Sequence, residues 1–332
     1  MRVTDSKKIA ADRRKAGIVA PVAPAKKLDG VPRPRAKVLP MHVIECDAWE
    51  LPQFASDPTL TPDKNRTRSN EIHPSGGAWQ GGCSSWEQVQ ELLTKGWPDG
   101  AAQARKLADG LLPLLPPPES LRRKTRWAED GGELDRDRLY SGGIETAFRT
   151  TRQHLQRGPR TVKIVGSWSI NAGWGADAIA WNGSAITALV DLLENADFRV
   201  ELSLCLAAQQ PQPQSISMPI VRIKTASEPM NVDTIAAVAG HAAIFRTYGF
   251  KMICTSPHTV AESLGRALTI TDAWGKAVEA GVLEPVDAFM ELATSEAGAL
   301  ARVGEVLKKL MPHDPDFLAN VDAMIAGRPA EW

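Results

Sequence analysis

Ser167, Ser169 and Asn171 stand in "GSWSINAG", directly after the β-branched run of Val162, Ile164 and Val165. A buried strand that breaks into small and polar residues delivers hydroxyl and amide oxygens to its carboxyl end, where sites in open α/β sheets gather. The plain use of such oxygens is to satisfy backbone groups and cap the next helix. A Ser–His pair would instead point to acyl transfer, and Ser256 with His258 lies after a second strand-like run, "FKMICTS". No nucleophile-elbow motif accompanies that pair, and no orienting carboxylate can be named. The remaining histidines are dispersed and H-E-x-x-H is absent, so the sequence reads as non-enzymatic, with no cofactor.

Cations carry a second chemistry. Residues 1–40 hold eleven Lys/Arg, among them Lys7, Lys8, Arg13, Arg14, Lys15, Lys26, Lys27, Arg33 and Arg35, against three Asp, a net +8 in a chain whose total is zero. With five prolines and no aromatic residue, this stretch cannot bury enough surface to order itself and is expected to be an extended arm. Mobile cations gain affinity by releasing counterions, which suits an acidic protein surface or a nucleic acid. Arg122, Arg123, Lys124 and Arg126 form another basic cluster beside Trp127. It fits phosphate contact and base stacking, or a strand edge kept from pairing by its charges.

The elements that must position these groups fall into five stretches. After the arm, 1–40, the Pro- and Gly-punctuated 41–83 reads as an irregular wrapping segment. Residues 84–160 open with a capping pattern, Ser84 with Glu87 and Ser85 with Gln88. Two helices forming an αα-hairpin follow, then the basic cluster. Trp86 and Trp97 are expected to pack rather than to cage a ligand. Within 161–257 the order is strand, helix, two strands joined by the short "AQQPQPQ", a helix over about 231–248, and a strand at "FKMICTS". The short link favours an antiparallel pair. The acidic remainder, 258–332, has helical periodicity and reads as a cover for the sheet, its outer sides able to receive a basic arm from a neighbouring copy.

That order of elements, with polar residues after the first strand, resembles the von Willebrand factor A domain. The fold it implies is an open, Rossmann-like α/β sheet flanked by helices. The resemblance also implies a divalent-metal site, whose positions fall on Ser167, Ser169, Asn171, Thr225 and Ser256; both carboxylates of the family pattern are missing. Neutral oxygens offset the dehydration of a hard cation poorly, so the site is read as degenerate and without metal. A second stretch, Asp130, Gly131, Gly132, Glu133, Leu134 and Asp135, resembles the segment ahead of the A domain in proteins related to the cobaltochelatase large-ring subunit and the nitric oxide reductase activation protein. It implies an adaptor for a ring ATPase.

At 332 residues, 43% hydrophobic and 23% charged, the chain has the make-up of a soluble protein. No apolar run approaches the roughly 18 residues of a membrane span. The four cysteines are scattered, and the start lacks the apolar centre of a secretory signal, so reduced thiols and a cytoplasmic location, or a virion assembled there, are expected. The sequence thus reads as a binding and assembly protein, a phage or mobile-element structural component that contacts a protein partner or another copy through its arm. The rivals are the ring-ATPase adaptor and a nucleic-acid-binding protein.

Overall fold

A computed structural model describes residues 2–5, 39–52, 77–115, 124–128, 133–152, 160–171, 173–210, 214–254, 265–311 and 315–326. In chain order the main elements are β1 (Arg2–Asp5), β2 (Met41–Asp47), α1 (Trp86–Lys95), α2 (Pro98–Leu111), β3 (Lys124–Ala128), β4 (Glu133–Leu134), α3 (Arg136–Tyr140), β5 (Phe148–Arg152), β6 (Arg160–Ser167) and α4 (Ala176–Asn195). There follow β7 (Phe198–Cys205), β8 (Ala208–Gln210), β9 (Ser215–Lys224), α5 (Val232–Gly240) and α6 (Ala242–Ile244). A π-helical turn (Phe245–Gly249) leads into α7 (Phe250–Cys254), β10 (Arg266–Ala267), α8 (Ile270–Glu279), β11 (Ala288–Met290), α9 (Glu296–Leu310) and α10 (Pro315–Ala326).

The centre is an open, mixed, eight-stranded sheet flanked by helices, with strands ordered β1-β2-β9-β7-β6-β11 and β8 and β10 continuing beside β9. β6 is parallel to β7 on one side and to β11 on the other. The strands joined by the Gln/Pro link, β7 and β9, are antiparallel, as expected. Because the chain leaves β6 towards β7 and later returns on its opposite side, the carboxyl end of β6 is the switch point of the parallel strands. A separate three-stranded sheet has the order β3-β5-β4.

Period-two alternation divides the sheet between two cores. Val162, Ile164, Val200, Leu202 and Leu204 face α4, α5 and their neighbours, and α4 lies against α2, α5 and α9. Val165, Cys205, Ile216, Met218 and Ile220 face α8 through Ile270, Trp274 and Ala277. Near the amino end of β7 the buried Lys224 ammonium sits 2.7 Å from Glu194 and donates to the Val200 carbonyl at 3.1 Å, tying α4, β7 and β9 together.

Several expectations are corrected. Met41–Asp47 is not a wrapping segment: its two-sided apolar alternation makes it a strand in parallel register with β9, from Met41 against Ile216 to Asp47 against Arg222. The arm is not wholly separate either, since Arg2–Asp5 pairs antiparallel with β2. Phe250–Cys254 is a helix, and the strand beside β6 is Ala288–Met290, inside the stretch read as a helical cover. The sheet therefore draws on chain well outside 161–257. The helix expected over 231–248 stops at Gly240, where His241 accepts from the Ala243 amide and starts a new turn. Ser85 and Gln88 do form a capping box ahead of α1.

Candidate functional site

Ser167 and Ser169 lie together at the carboxyl end of β6, both buried. Their oxygens are spent on backbone. The Ser169 amide donates to Ser167 Oγ at 3.3 Å and the Ala207 amide to Ser169 Oγ at 2.7 Å. Asn182 of α4 donates through Nδ2 to the Ser167 carbonyl at 2.8 Å and accepts from the Ala293 amide at 3.2 Å. These bonds fasten the loops after β6, β7 and β11 to one helix. Asn171 is exposed and accepts from the Gly173 amide at 2.9 Å.

Thr225 is not brought to this place. Ser167 pairs with Cys205 and Cys205 with Ile220, whereas Ile164 pairs with Leu202 and Leu202 with Lys224. Thr225 therefore lies towards the opposite end of β6, five residues beyond the level of Ser167, or roughly 16 Å at the strand rise. Ser256 and His258 lie outside the described residues, as do Lys7, Lys8, Arg13, Arg14, Lys15, Lys26, Lys27, Arg33, Arg35, Arg122 and Arg123. Lys124 and Arg126 are on β3. Neutral oxygens already occupied by amides do not fit a hard divalent cation. Among the described residues no three His, Cys, Asp or Glu are gathered for one.

Behind the strand end sits a cluster that the sequence reading missed. Arg246, in the π-helical turn, is 1% exposed; its guanidinium carbon lies 4.1 Å from the centre of the Trp79 ring and its Nη2 donates to the Trp174 carbonyl. Trp79 packs on Phe250, Phe250 on Phe245, and Phe245 edge-on against Trp168, the residue after β6. One turn on, Lys251 is also 1% exposed, its ammonium 4.7 Å over the Trp86 ring, which stacks edge-on with Tyr248. Burial pushes Arg246 down to about 10 and Lys251 down to about 8, and raises the Tyr248 phenol. A faint sequence signal exists: two cations set among aromatic residues in "FRTYGFKM".

On the other face, beside α8, whose Trp274 borders it, the sheet carries a groove of about 580 Å³, its charged lining Glu45, Asp47, Glu50, Glu201 and Glu284 with Lys163 and Arg222. Arg222 grips Asp47 in a bidentate pair, Nε to Oδ1 at 2.6 Å and Nη2 to Oδ2 at 2.8 Å. Lys163 stands 3.9 Å from Glu284. The Asp47 amide donates to Glu50 at 3.0 Å, which holds that carboxyl below the usual range. Five carboxylates against two cations leave the groove acidic.

The family described as a domain of unknown function, DUF7192, matches residues 48–310. The chain belongs to this family. No curated protein and no solved structure matches it. The span shared with DUF7192 takes in the strand end and the whole cation–aromatic cluster. Strand β2, which gives the groove Glu45 and Asp47, lies outside it.

Proposed function

We propose that the chain is a non-catalytic binding and assembly protein in which the acidic groove takes an extended basic segment, and that residues 6–38 of a neighbouring copy are the segment of matching charge. The observation that carries this reading is the groove itself. Its carboxylates sit on two strands, β2 and β7, on the short helical turn after β2 and on one loop, so their field is largely fixed before a partner arrives. Residues 6–38 hold ten Lys/Arg and two Asp. Their prolines favour the extended backbone that a strand-lined groove accepts. Glu45 and Glu201 enter no ion pair among the described residues, so both are available to a guest.

The A-like reading is supported by the order β9-β7-β6-β11 with β9 antiparallel, and the non-catalytic one by the use of Ser167 and Ser169 as backbone acceptors. An acidic groove repels phosphate, so a nucleic acid would have to bind elsewhere.

The test is fluorescence anisotropy of a labelled peptide spanning residues 6–38, titrated with the full chain. Binding that weakens steeply with salt and is lost in a Glu45→Gln, Glu201→Gln, Glu284→Gln variant supports the reading. Binding indifferent to those substitutions, or none at low salt, overturns it. Capture of an oligonucleotide in place of the peptide would favour the nucleic-acid rival.

A further inference from the structure

Among the described residues, seven buried side-chain polar atoms of Gln80, Trp168, Arg246, Thr247 and Tyr248 have no hydrogen-bond partner. Three of those residues are consecutive in the π-helical turn, a form found often at functional sites, and Trp168 is at the switch point of the sheet. Buried polar groups are ordinarily satisfied, so a concentration of orphans calls for a missing partner.

The chemistry of the orphans says which partner. Arg246 Nε and Nη1, Trp168 Nε1 and Gln80 Nε2 can only donate, the hydroxyls of Thr247 and Tyr248 are free to donate, and of the seven Gln80 Oε1 alone can only accept. Arg246, at 1% exposure, has a carbonyl and a ring face for company and no carboxylate among the described residues. A water would satisfy donors and leave the charge unbalanced, whereas an anion does both. The carbonyl that holds Nη2 belongs to Trp174, which is 37% exposed, so the guanidinium lies one residue from solvent.

We infer that this cluster is a binding site for a small oxyanionic ligand, a molecule carrying a phosphate or carboxylate group that pairs with Arg246 and accepts from the neighbouring orphan donors. Arginine presents a planar donor fork matched to such oxyanions. The Trp79 ring, already stacked on the guanidinium, would wall one side of the ligand. The inference stands apart from the groove, which lies on the other face of the sheet and has the opposite charge.

The experiment is thermal unfolding of the full chain with inorganic phosphate, and separately acetate, replacing chloride at constant ionic strength, for wild type, Arg246→Gln and Tyr248→Phe. A ligand bound only by the folded state raises Tm. Comparison with Arg246→Gln removes the general stabilisation that excluded salts give. The site predicts a rise of several degrees in wild type with at least one of the two anions, absent from Arg246→Gln and reduced in Tyr248→Phe. Equal responses in wild type and Arg246→Gln would overturn it. Should Arg246→Gln not fold, an undiminished response in Tyr248→Phe, which loses one hydroxyl and no ring, would do the same.

Discussion

Gly183 in α4 and Gly240 at the end of α5 meet backbone to backbone: a Cβ built on Gly183 would overlap the Gly240 main chain, whereas one on Gly240 would come 3.0 Å from the Gly183 Cα. This crossing lets α4 lie deep between the sheet and the outer helices, and α4 carries the Asn182 that fastens the strand end. Gly183→Ala is therefore expected to cost about 3 kcal/mol, the upper part of the range for overpacking, and Gly240→Ala about 1. Gly110, with open space around it, is the control; alanine there should be neutral or stabilising by roughly 0.5–1 kcal/mol. Urea unfolding of the three variants measures this ordering.

Ile164 is buried at the centre of β6, between β7 and β11. Ile164→Ala should cost about 2–5 kcal/mol through lost transfer energy and the residual cavity. Ser167→Ala leaves the buried Ser169 amide without its acceptor and should cost about 1–3 kcal/mol. A neutral Ile164→Ala in equilibrium unfolding would contradict the central place of the strand.

How much of this was legible in the sequence depended on the length of each signal. The capping residues Ser85 and Gln88 and the turn at Gly96 fix α1 locally, so sequence and structure agree there. At Phe250–Cys254 a short apolar run fits helix and strand equally, and tertiary context chose helix. Ala288–Met290, three residues long, gives no pattern to detect, though it supplies the strand next to β6. Met41–Asp47 has apolar residues on both faces, and the prolines and glycines after it masked a strand whose partner, β9, is some 170 residues away in sequence. The polar run Ser167 to Asn171 does begin at the carboxyl end of β6, while Arg246 and Lys251 escaped notice because cations in a helix are ordinarily read as its solvated face.

Metal should leave stability unchanged. The strand-end oxygens already accept backbone amides and bring no carboxylate, so Mg²⁺ or EDTA should not move the melting temperature. A metal-dependent rise of several degrees in differential scanning fluorimetry would contradict this.

His241 gives a pH signature. Its Nδ1 accepts from the Ala243 amide, its ring packs edge-on against Trp97, and burial pushes it down to about 4 from 6.5. The unfolded chain therefore takes up a proton near 6.5 that the folded chain refuses until about 4. Stability from this group is complete above about 6.5 and is lost as pH falls towards 4, by roughly 3 kcal/mol in all. In His241→Asn, which keeps a capping acceptor without titrating, chemical unfolding between those two pH values should show a flatter profile than wild type.

The claim that one copy's basic segment occupies another's acidic groove is tested most directly by sedimentation velocity of the full chain across concentration, at low and high salt. The account predicts association that grows with concentration at low salt, disappears at high salt, and is absent from the Glu45→Gln, Glu201→Gln, Glu284→Gln variant. A chain that sediments as a monomer at every concentration in low salt, or a variant that associates as wild type does, would contradict it.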